Sequence, residues 1–479
     1  MSTLQGKNPW VIFFCLLISV FVLLEAAAFQ SPALPFITAN FGIEPTFGGA
    51  VTLAYYAAAV VFAPMMGRVS DAIGRKKTIL IGLAIFSVSE FIAALSPTFA
   101  IFLAARFLQG LGYASVFPVI FAYISDLFSE EKRGRALGFL GATATIGAAS
   151  GGIIAGILID LYGWSIIYWV SGILSAVGLV IIFFTMPETQ KTANKLMIDI
   201  YGAMALLVTI GSLVTLPMML TNFGLKSPIA ILLIASTILG LISLILIERK
   251  VKNPVMDVNI LKLKGVHIPA IIIILQNFCN IALIYALTYY VASRAGWGAT
   301  ETGIMSTVNY IFNSIATLTT GYLIDKYKPR YFVLAGAVIS LGGAFAFTLI
   351  TTTSPYIFML VAISIVGLCG GLINPALMKI VMTSLPEKLR GAGSGTYVMF
   401  RDIGVPLGSS IGLALYGFMT RRAGDVADPV MATTQAINGV GYVVMGVIVV
   451  LILSSLLLFR KSNQEQEVVK DPVAIEEGA

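Results

Sequence analysis

Apolar runs of membrane-spanning length, broken by short polar connections, follow one another from Trp10 to the tail. A span needs about 20 mostly apolar residues, and the chain supplies fourteen such runs. They cover 10–30, 47–67, 77–95, 98–126, 134–159, 164–186, 197–220, 227–247, 267–291, 302–323, 331–350, 355–383, 391–418 and 434–458. An even count returns both termini to one side.

Charge placement orients this pattern. With the N-terminus inside, the even-numbered turns hold Arg68 to Lys77, Lys132/Arg133/Arg135, Lys191/Lys195, Arg249/Lys250/Lys252 with Lys262/Lys264, Lys326/Lys328/Arg330 and Lys388/Arg390. The other turns hold Lys226, Arg294, Arg421 and Arg422. An excess of bases marks cytoplasmic loops, so both termini are expected in the cytoplasm of a cell-membrane protein. The tail from Arg460, rich in Gln and Glu, reads as disordered.

Composition narrows the class. Hydrophobic residues make up 58% of the 479 residues and charged ones 11%, with a mean hydropathy of +0.94; a soluble domain carries about a quarter charged residues. The net charge of +7 is orientation information, since it sits in short loops at alternate span ends. Cys15, Cys279 and Cys369 lie scattered in apolar runs, which supports neither a disulfide framework nor a metal cluster. No G-x-x-x-x-G-K-[ST] phosphate loop is present, and no nucleophile, metal cluster or acid/base pair stands out in the loops. An ATP-driven pump and an enzyme are therefore disfavoured, and no cofactor is expected.

The chain repeats itself. An offset of 257 residues carries Gly110 to Gly367, Pro118 to Pro375, Arg133-Gly134 to Arg390-Gly391, Gly147 to Gly404 and Gly151 to Gly408. Two six-span repeats follow, separated by runs 197–220 and 227–247, which carry no internal charge. The expected division is 1–190 for the first bundle, 191–252 for a two-helix insertion, 253–460 for the second bundle and 461–479 for the tail.

The loop Gly67-Arg68-Val69-Ser70-Asp71-Ala72-Ile73-Gly74-Arg75-Lys76-Lys77 joins the second and third spans, with Gly67 and Gly74 placed to allow a tight turn. It recurs more weakly at Gly321-Tyr322-Leu323-Ile324-Asp325-Lys326. This Gly-x-x-x-Asp-x-x-Gly-Arg-Lys pattern resembles the loop signature, motif A, of the major facilitator superfamily of transporters. Residues 103–114, with Arg106, resemble its motif B, and residues 138–152 resemble the antiporter motif C through Gly141, Gly147, Gly151 and Gly152. Pro32-Ala33-Leu34-Pro35 resembles the P-A-L-P ending of the first span. Motif C normally has Pro after its central Gly, whereas this chain has Ala148.

Six, two and six spans resemble the fourteen-span branch of the drug:proton antiporters. The resemblance implies an all-α membrane protein of two six-helix bundles with two extra central helices. It also implies a conformational latch at Gly67, Asp71, Gly74, Arg75 and Asp325, and proton coupling through intramembrane charges. The partners implied are a small molecule, protons and the bilayer, without nucleic acid, for a monomer.

Ionisable side chains at membrane depth normally face a partner or a wet cavity. Glu25, Arg106, Lys379, Arg401 and Asp402 are candidates for coupling and for the cavity, with Gln30, Gln109, Asn277 and Asn280 as polar lining. Glu25 and Asp402, one per repeat, are the leading proton carriers, with Arg106 and Arg401 as counter-ions. A permanent salt bridge is the competing reading for Asp402. Glu90 is expected near the outer end of its span in a wetted role, and His267 at an interface. Tyr113, Tyr285, Tyr289 and Phe400 are candidate walls. The functional expectation is a proton-coupled antiporter exporting lipophilic or amphipathic molecules. The alternative is a proton-coupled symporter for an organic anion, which Arg106, Lys379, Arg401 and the missing proline favour.

Overall fold

The computed structural model of the chain describes residues 8–188, 199–251, 258–261, 263–386, 389–423 and 429–459. The expected division points at 190/191, 252/253 and 460/461, and the tail, lie outside the described residues. Helices of spanning length account for nearly all of the described chain, as they must where no water is present to satisfy backbone N–H and C=O groups.

The first bundle comprises α1 (Pro9–Ala28) with α2 (Gln30–Asn40), α3 (Gly49–Ile73), α4 (Arg75–Ala94), α5 (Phe99–Leu127), α6 (Glu130–Tyr162) and α7 (Ser165–Thr185). The central pair is α8 (Ile200–Phe223) and α9 (Pro228–Glu248), and a short α10 (Val258–Leu261) follows. The second bundle comprises α11 (Lys264–Ala292), α12 (Ala299–Leu323), α13 (Pro329–Thr348), α14 (Tyr356–Thr383), α15 (Arg390–Arg422) and α16 (Pro429–Leu456). Among the described residues, thirteen segments are long and apolar enough to cross a membrane. The remaining expected span is α12, 25 residues long, whose Glu301, Asn309 and Asn313 lower its hydropathy without shortening it.

Two local expectations are corrected. The first span does not end at residue 30, because α2 continues it to Asn40 after a break at Phe29. Pro32 falls in the first turn of α2, where an N–H has no intrahelical partner to lose, so the chain restarts a helix there. Gly67 is not a turn residue either, since α3 runs through it to Ile73 and a side chain at Gly67 would meet nothing within 4 Å. Gly74 alone makes the turn, at φ +108°.

The repeat is visible in atomic contacts. A Cβ on Gly110 of α5 would lie 2.0 Å from the Tyr55 carbonyl of α3, and one on Gly367 of α14 would lie 2.4 Å from the Asn309 carbonyl of α12. Gly147 and Gly151 pack α6 on α1, as Gly404 and Gly408 pack α15 on α11. Ser31 and Thr288 are themselves 257 positions apart, and their hydroxyls meet at 3.1 Å. Repeat-equivalent residues touch only on the axis that relates the repeats, so this pair marks the pseudo-twofold axis.

Two seams join the bundles around that axis. At the α6–α12 seam, Gly152 faces the Gly303 carbonyl, and a Cβ on Gly156 would lie 2.4 Å from the Ala299 carbonyl. At the α3–α15 seam, one on Gly49 would lie 2.6 Å from Ser410 Cα, and Gly417 faces Thr46. Small residues admit such close backbone approach. The hairpin α8–α9 covers the second seam: Ser410 Oγ donates to the Val214 carbonyl, and Arg421 donates to the Thr221 carbonyl at 3.1 Å and to Asn222 Oδ1 at 2.5 Å.

Gly156→Val therefore forces the α6–α12 backbones apart at a typical overpacking cost of about 1–3 kcal/mol. Its melting temperature in detergent is expected to fall by about 1–3 °C. Gly141→Val, where a side chain meets nothing within 4 Å, is expected to stay within about 1 °C of the parent.

Candidate functional site

Hydrogen bonds between the bundles, among the described residues, lie in the half remote from the charged loops. Thr38 meets the Tyr289 hydroxyl at 2.9 Å, Thr52 donates to Tyr285 at 3.3 Å, and Thr307 donates to the Ala149 carbonyl at 2.7 Å. At the rim, Asp160 of α6 caps the first turn of α12, accepting from the Ala299 and Thr300 N–H groups at 2.8 Å each. Arg421 pairs with Glu44 at 2.9 Å. Towards the charged loops α6 presents exposed residues, with Leu137 43% and Ile146 61% exposed, and open space beside Gly134, Gly138 and Gly141.

Between these seams, at mid-depth on the axis, lies a small cavity of ≈ 40 Å³. Its walls are Ala27, Ala28, Gln30 and Ser31 at the α1–α2 break, Tyr55 and Tyr56 of α3, and Arg106 of α5. The second bundle supplies Ile281, Ile284 and Tyr285 of α11, Ser306, Asn309 and Tyr310 of α12, and Val405 of α15. Arg106 is 2% exposed. Its guanidinium lies 4.8 Å from the centroid of the Tyr55 ring, and its Nη1 donates to Gln109 Oε1. Aromatic rings beside a guanidinium offer stacking and cation–π attraction.

The expected site residues divide. Gln30 and Arg106 line the cavity, and Gln109, fully buried, orients Arg106. Arg401 Nε donates to Asp402 Oδ1 at 2.8 Å, and Asp402 acts electrostatically on Tyr56 of the cavity wall and on Tyr113 beside it. Glu25 does not line this cavity. It faces away towards α6, where a Cβ on Gly151 would lie 3.1 Å from its Cγ, and it borders a smaller cavity with Phe29, Ile154, Ala155, Leu158, Ile167, Val170 and Ser171.

Asn277 and Asn280 are not in the cavity lining: Asn277 donates to the Ile273 carbonyl one turn back in its own helix at 3.0 Å, and Asn280 to the Val366 carbonyl of α14 at 3.4 Å. Lys379 lies off the cavity, near the charged end of α14, with its Nζ 2.7 Å from Asp325 and donating to the Ile324 carbonyl at 3.0 Å. Glu90 is fully buried rather than wetted. The helix α4 turns it inward against α5 and α7, and the apolar face that meets lipid is elsewhere on that helix. His267 Nδ1 lies 3.0 Å from the Leu263 carbonyl, one turn back.

The charged loop is tied to its own bundle. Arg75 pairs with Asp71 at 3.0 Å, with Asp126 of α5, and with Ser70 Oγ at 3.1 Å. Glu188 accepts from the Lys76 N–H at 3.1 Å and stands against Gly74, where a Cβ would clash with its carboxylate. The second repeat uses the opposite polarity, with the carboxylate Asp325 after α12 and the cation Lys379 on α14. The acid on the fifth helix and Glu188 carry no motif of their own. Tyr55, Tyr56, Tyr310 and Ser306 were equally silent in the sequence, because hydroxyl-bearing residues in an apolar run do not reveal which face they occupy.

Comparison with known proteins agrees with this architecture. The sequence model of the Major Facilitator Superfamily matches residues 12–256, 192–409 and 269–474. The chain belongs to that superfamily. It is 26% identical over 406 residues to the multidrug resistance protein Stp of Mycobacterium tuberculosis (strain ATCC 25618 / H37Rv), covering 84% of this chain and 74% of Stp. It is 26% identical over 390 residues to the multidrug transporter protein MdtP of Bacillus subtilis (strain 168), covering 78% of this chain and 69% of MdtP. Its fold matches the crystal structure of a peptide transporter, POT, in complex with sulfate. That match has a TM-score of 0.66 and 14% identity, over 92% of this chain and 94% of that one. The crystal structure of the nucleoside transporter NupG gives a TM-score of 0.64 at 14% identity, over 95% and 100%. This protein is a multi-pass membrane transporter of the superfamily, and small molecules are what such proteins carry.

The two loop ion pairs differ in exposure. Asp325 is 80% exposed, whereas Arg75 is 12% exposed and holds two carboxylates. Asp325→Asn is expected to cost at most about 1 kcal/mol in denaturant unfolding of the detergent-solubilised protein. Arg75→Ala is expected to cost more, about 1–2 kcal/mol, because it removes two ion pairs, whose carboxylates stay partly hydrated at 38% and 35% exposed, together with a largely buried side chain.

Proposed function

We propose that this protein is a proton-driven exporter of lipophilic or amphipathic small molecules in the cell membrane, with both termini cytoplasmic. The observation that carries the reading is the tyrosine-walled cavity on the pseudo-twofold axis, sealed by repeat-equivalent seams on one side. A site at the midplane between repeats is what alternating access requires: the two bundles rock about it and expose it to each face in turn. The multidrug names of relatives such as Stp and MdtP support a lipophilic cargo.

Glu25 and Asp402 are the carboxyls we assign to proton exchange, one in each bundle. Asp402 stands beside the cavity walls in a pair with Arg401, so its partner changes when cargo or a proton arrives. Glu25 packs on the antiporter-motif glycine Gly151, so its state is read by the helix that also forms the α6–α12 seam. A proton moving down 100 mV supplies about 2.3 kcal/mol, enough to drive modest accumulation. The loop network of Asp71, Gly74 and Arg75 is the latch: its charges are exchanged for partners on the other bundle when the face bearing the loops closes.

A second reading is proton-coupled uptake of an organic anion. The observation favouring it is that Arg106 is the permanently charged side chain in the cavity wall, with no carboxylate beside it there. Proteoliposomes with an imposed pH gradient distinguish the two. Export predicts proton flux on adding ethidium or tetraphenylphosphonium, reduced at least about tenfold by Asp402→Asn or Glu25→Gln. Flux provoked by benzoate-type anions alone, and lost with Arg106→Gln, establishes uptake and sinks the exporter reading.

A further inference from the structure

The interior of the first bundle holds a compartment that the substrate cavity does not include. Glu90 of α4 lies there with no exposed surface, and neither carboxylate oxygen has a hydrogen-bond partner. The groups that act on it are Arg106 of α5, Ser171 of α7 and Glu25 of α1. The hydroxyls of Tyr168 and Tyr55 lie within its electrostatic reach. Several of these neighbours are also buried without partners: Arg106 Nε, Ser171 Oγ, Tyr168 Oη and Tyr55 Oη. Buried polar atoms are nearly always satisfied, so a concentration of unsatisfied ones around a single carboxyl marks a place where a proton and its hydrogen bonds move.

Two features give the compartment its connections. Arg106 faces both ways, lining the substrate cavity over the Tyr55 ring while acting on Glu90. Ser171 acts on Glu90 and also borders the small cavity between α1, α6 and α7, where Glu25 lies. Glu90 is therefore coupled electrostatically to the guanidinium that lines the substrate site, and lies beside Ser171, which borders the cavity of Glu25.

We propose that Glu90 carries the coupling proton, in a compartment that Arg106 partitions from the substrate cavity and that Ser171 links to Glu25. This rests on the proton-driven reading above and adds to Glu25 and Asp402 a third carboxyl, which hands its proton to Glu25. Cargo stacking on Tyr55 displaces the guanidinium from that ring towards Glu90. The O–H bond of the Glu90 carboxyl then breaks, its electron pair stays on the carboxylate, the proton passes along Ser171 to the Glu25 carboxylate, and Glu25 gives a proton up to water. When cargo leaves, Arg106 returns to Tyr55 and Glu90 takes a proton back. Cargo and proton thus exclude one another without sharing a site.

The test uses the full-length protein in detergent, with two readouts. Infrared difference spectra between acidic and alkaline buffer are expected to contain a carboxyl C=O band that Glu90→Gln removes and Glu90→Asp shifts. Tetraphenylphosphonium added to weakly buffered protein is expected to release protons, with Glu90→Gln cutting the release at least twofold and changing the dissociation constant of the probe less than threefold. Ser171→Ala, which removes the hydroxyl and adds no bulk, is expected to slow the release without abolishing the band. Unaltered spectra and release in Glu90→Gln, with the probe still bound, overturn the proposal. Loss of the band in Glu90→Gln, without release from the parent protein, upholds the Glu90 assignment and removes exchange with this cation.

Discussion

Contact between backbones at glycine, across the axis relating the two repeats, is the interaction on which the rest of this transporter depends. Lipid gives helices no hydrophobic reason to associate, so association rests on packing, and packing is tightest where a side chain is absent. Gly152 against Gly303 and Gly49 against Ser410 bring the bundles together at repeat-equivalent places. Ser31 and Thr288 close the axis between them. Because these contacts lie in one half of the membrane, they are where the proposed rocking of the bundles would pivot, beside the mid-depth cavity.

The repeats are equivalent in backbone and unequal in chemistry. The first bundle contains Glu25, Glu90 and Arg106, and its polar atoms are buried with few partners. The second contributes Tyr285, Asn309 and Tyr310 to the cavity, and its intramembrane charges Arg401 and Asp402 are joined to one another. Even the loop pairs are reversed in sign, with Arg75 against acids in one repeat and Asp325 against Lys379 in the other. The hairpin α8–α9 adds a third asymmetry by covering the α3–α15 seam and leaving α6–α12 uncovered. Duplication thus kept the backbone contacts, while divergence left the two bundles with different buried charges.

Hydropathy, the alternation of basic turns and the 257-residue offset made the fold legible before any coordinates. Apolar length and charge are set by the bilayer and not by packing detail, so a sequence reports them directly. Rotation about a helix axis is not reported in that way. Glu25 and Gln30 read as neighbours in one cavity, yet the break at Phe29 turns them to different faces. Lys379 read as an intramembrane charge, but its long stem carries the ammonium to Asp325 near the end of α14. Glu90 read as peripheral because it lies late in its span, while α4 points it at Arg106. Side-chain direction in a wholly apolar run leaves no period to read, and this is why Tyr55, Tyr56 and Tyr310 were not legible beside Tyr285, the one cavity tyrosine expected as a wall.

Distances across the two halves of the α6–α12 seam test the pivot most directly. Spin labels at Leu161 and Thr300 report the half closed by Asp160, and labels at Leu137 and Tyr322 report the half bearing the charged loops, each pair in a cysteine-free background. The account predicts that pH or tetraphenylphosphonium moves the pairs in opposite senses, the first lengthening as the second shortens. Two pairs that lengthen together, or neither changing while transport proceeds, would contradict a rocking of the bundles about the glycine contacts.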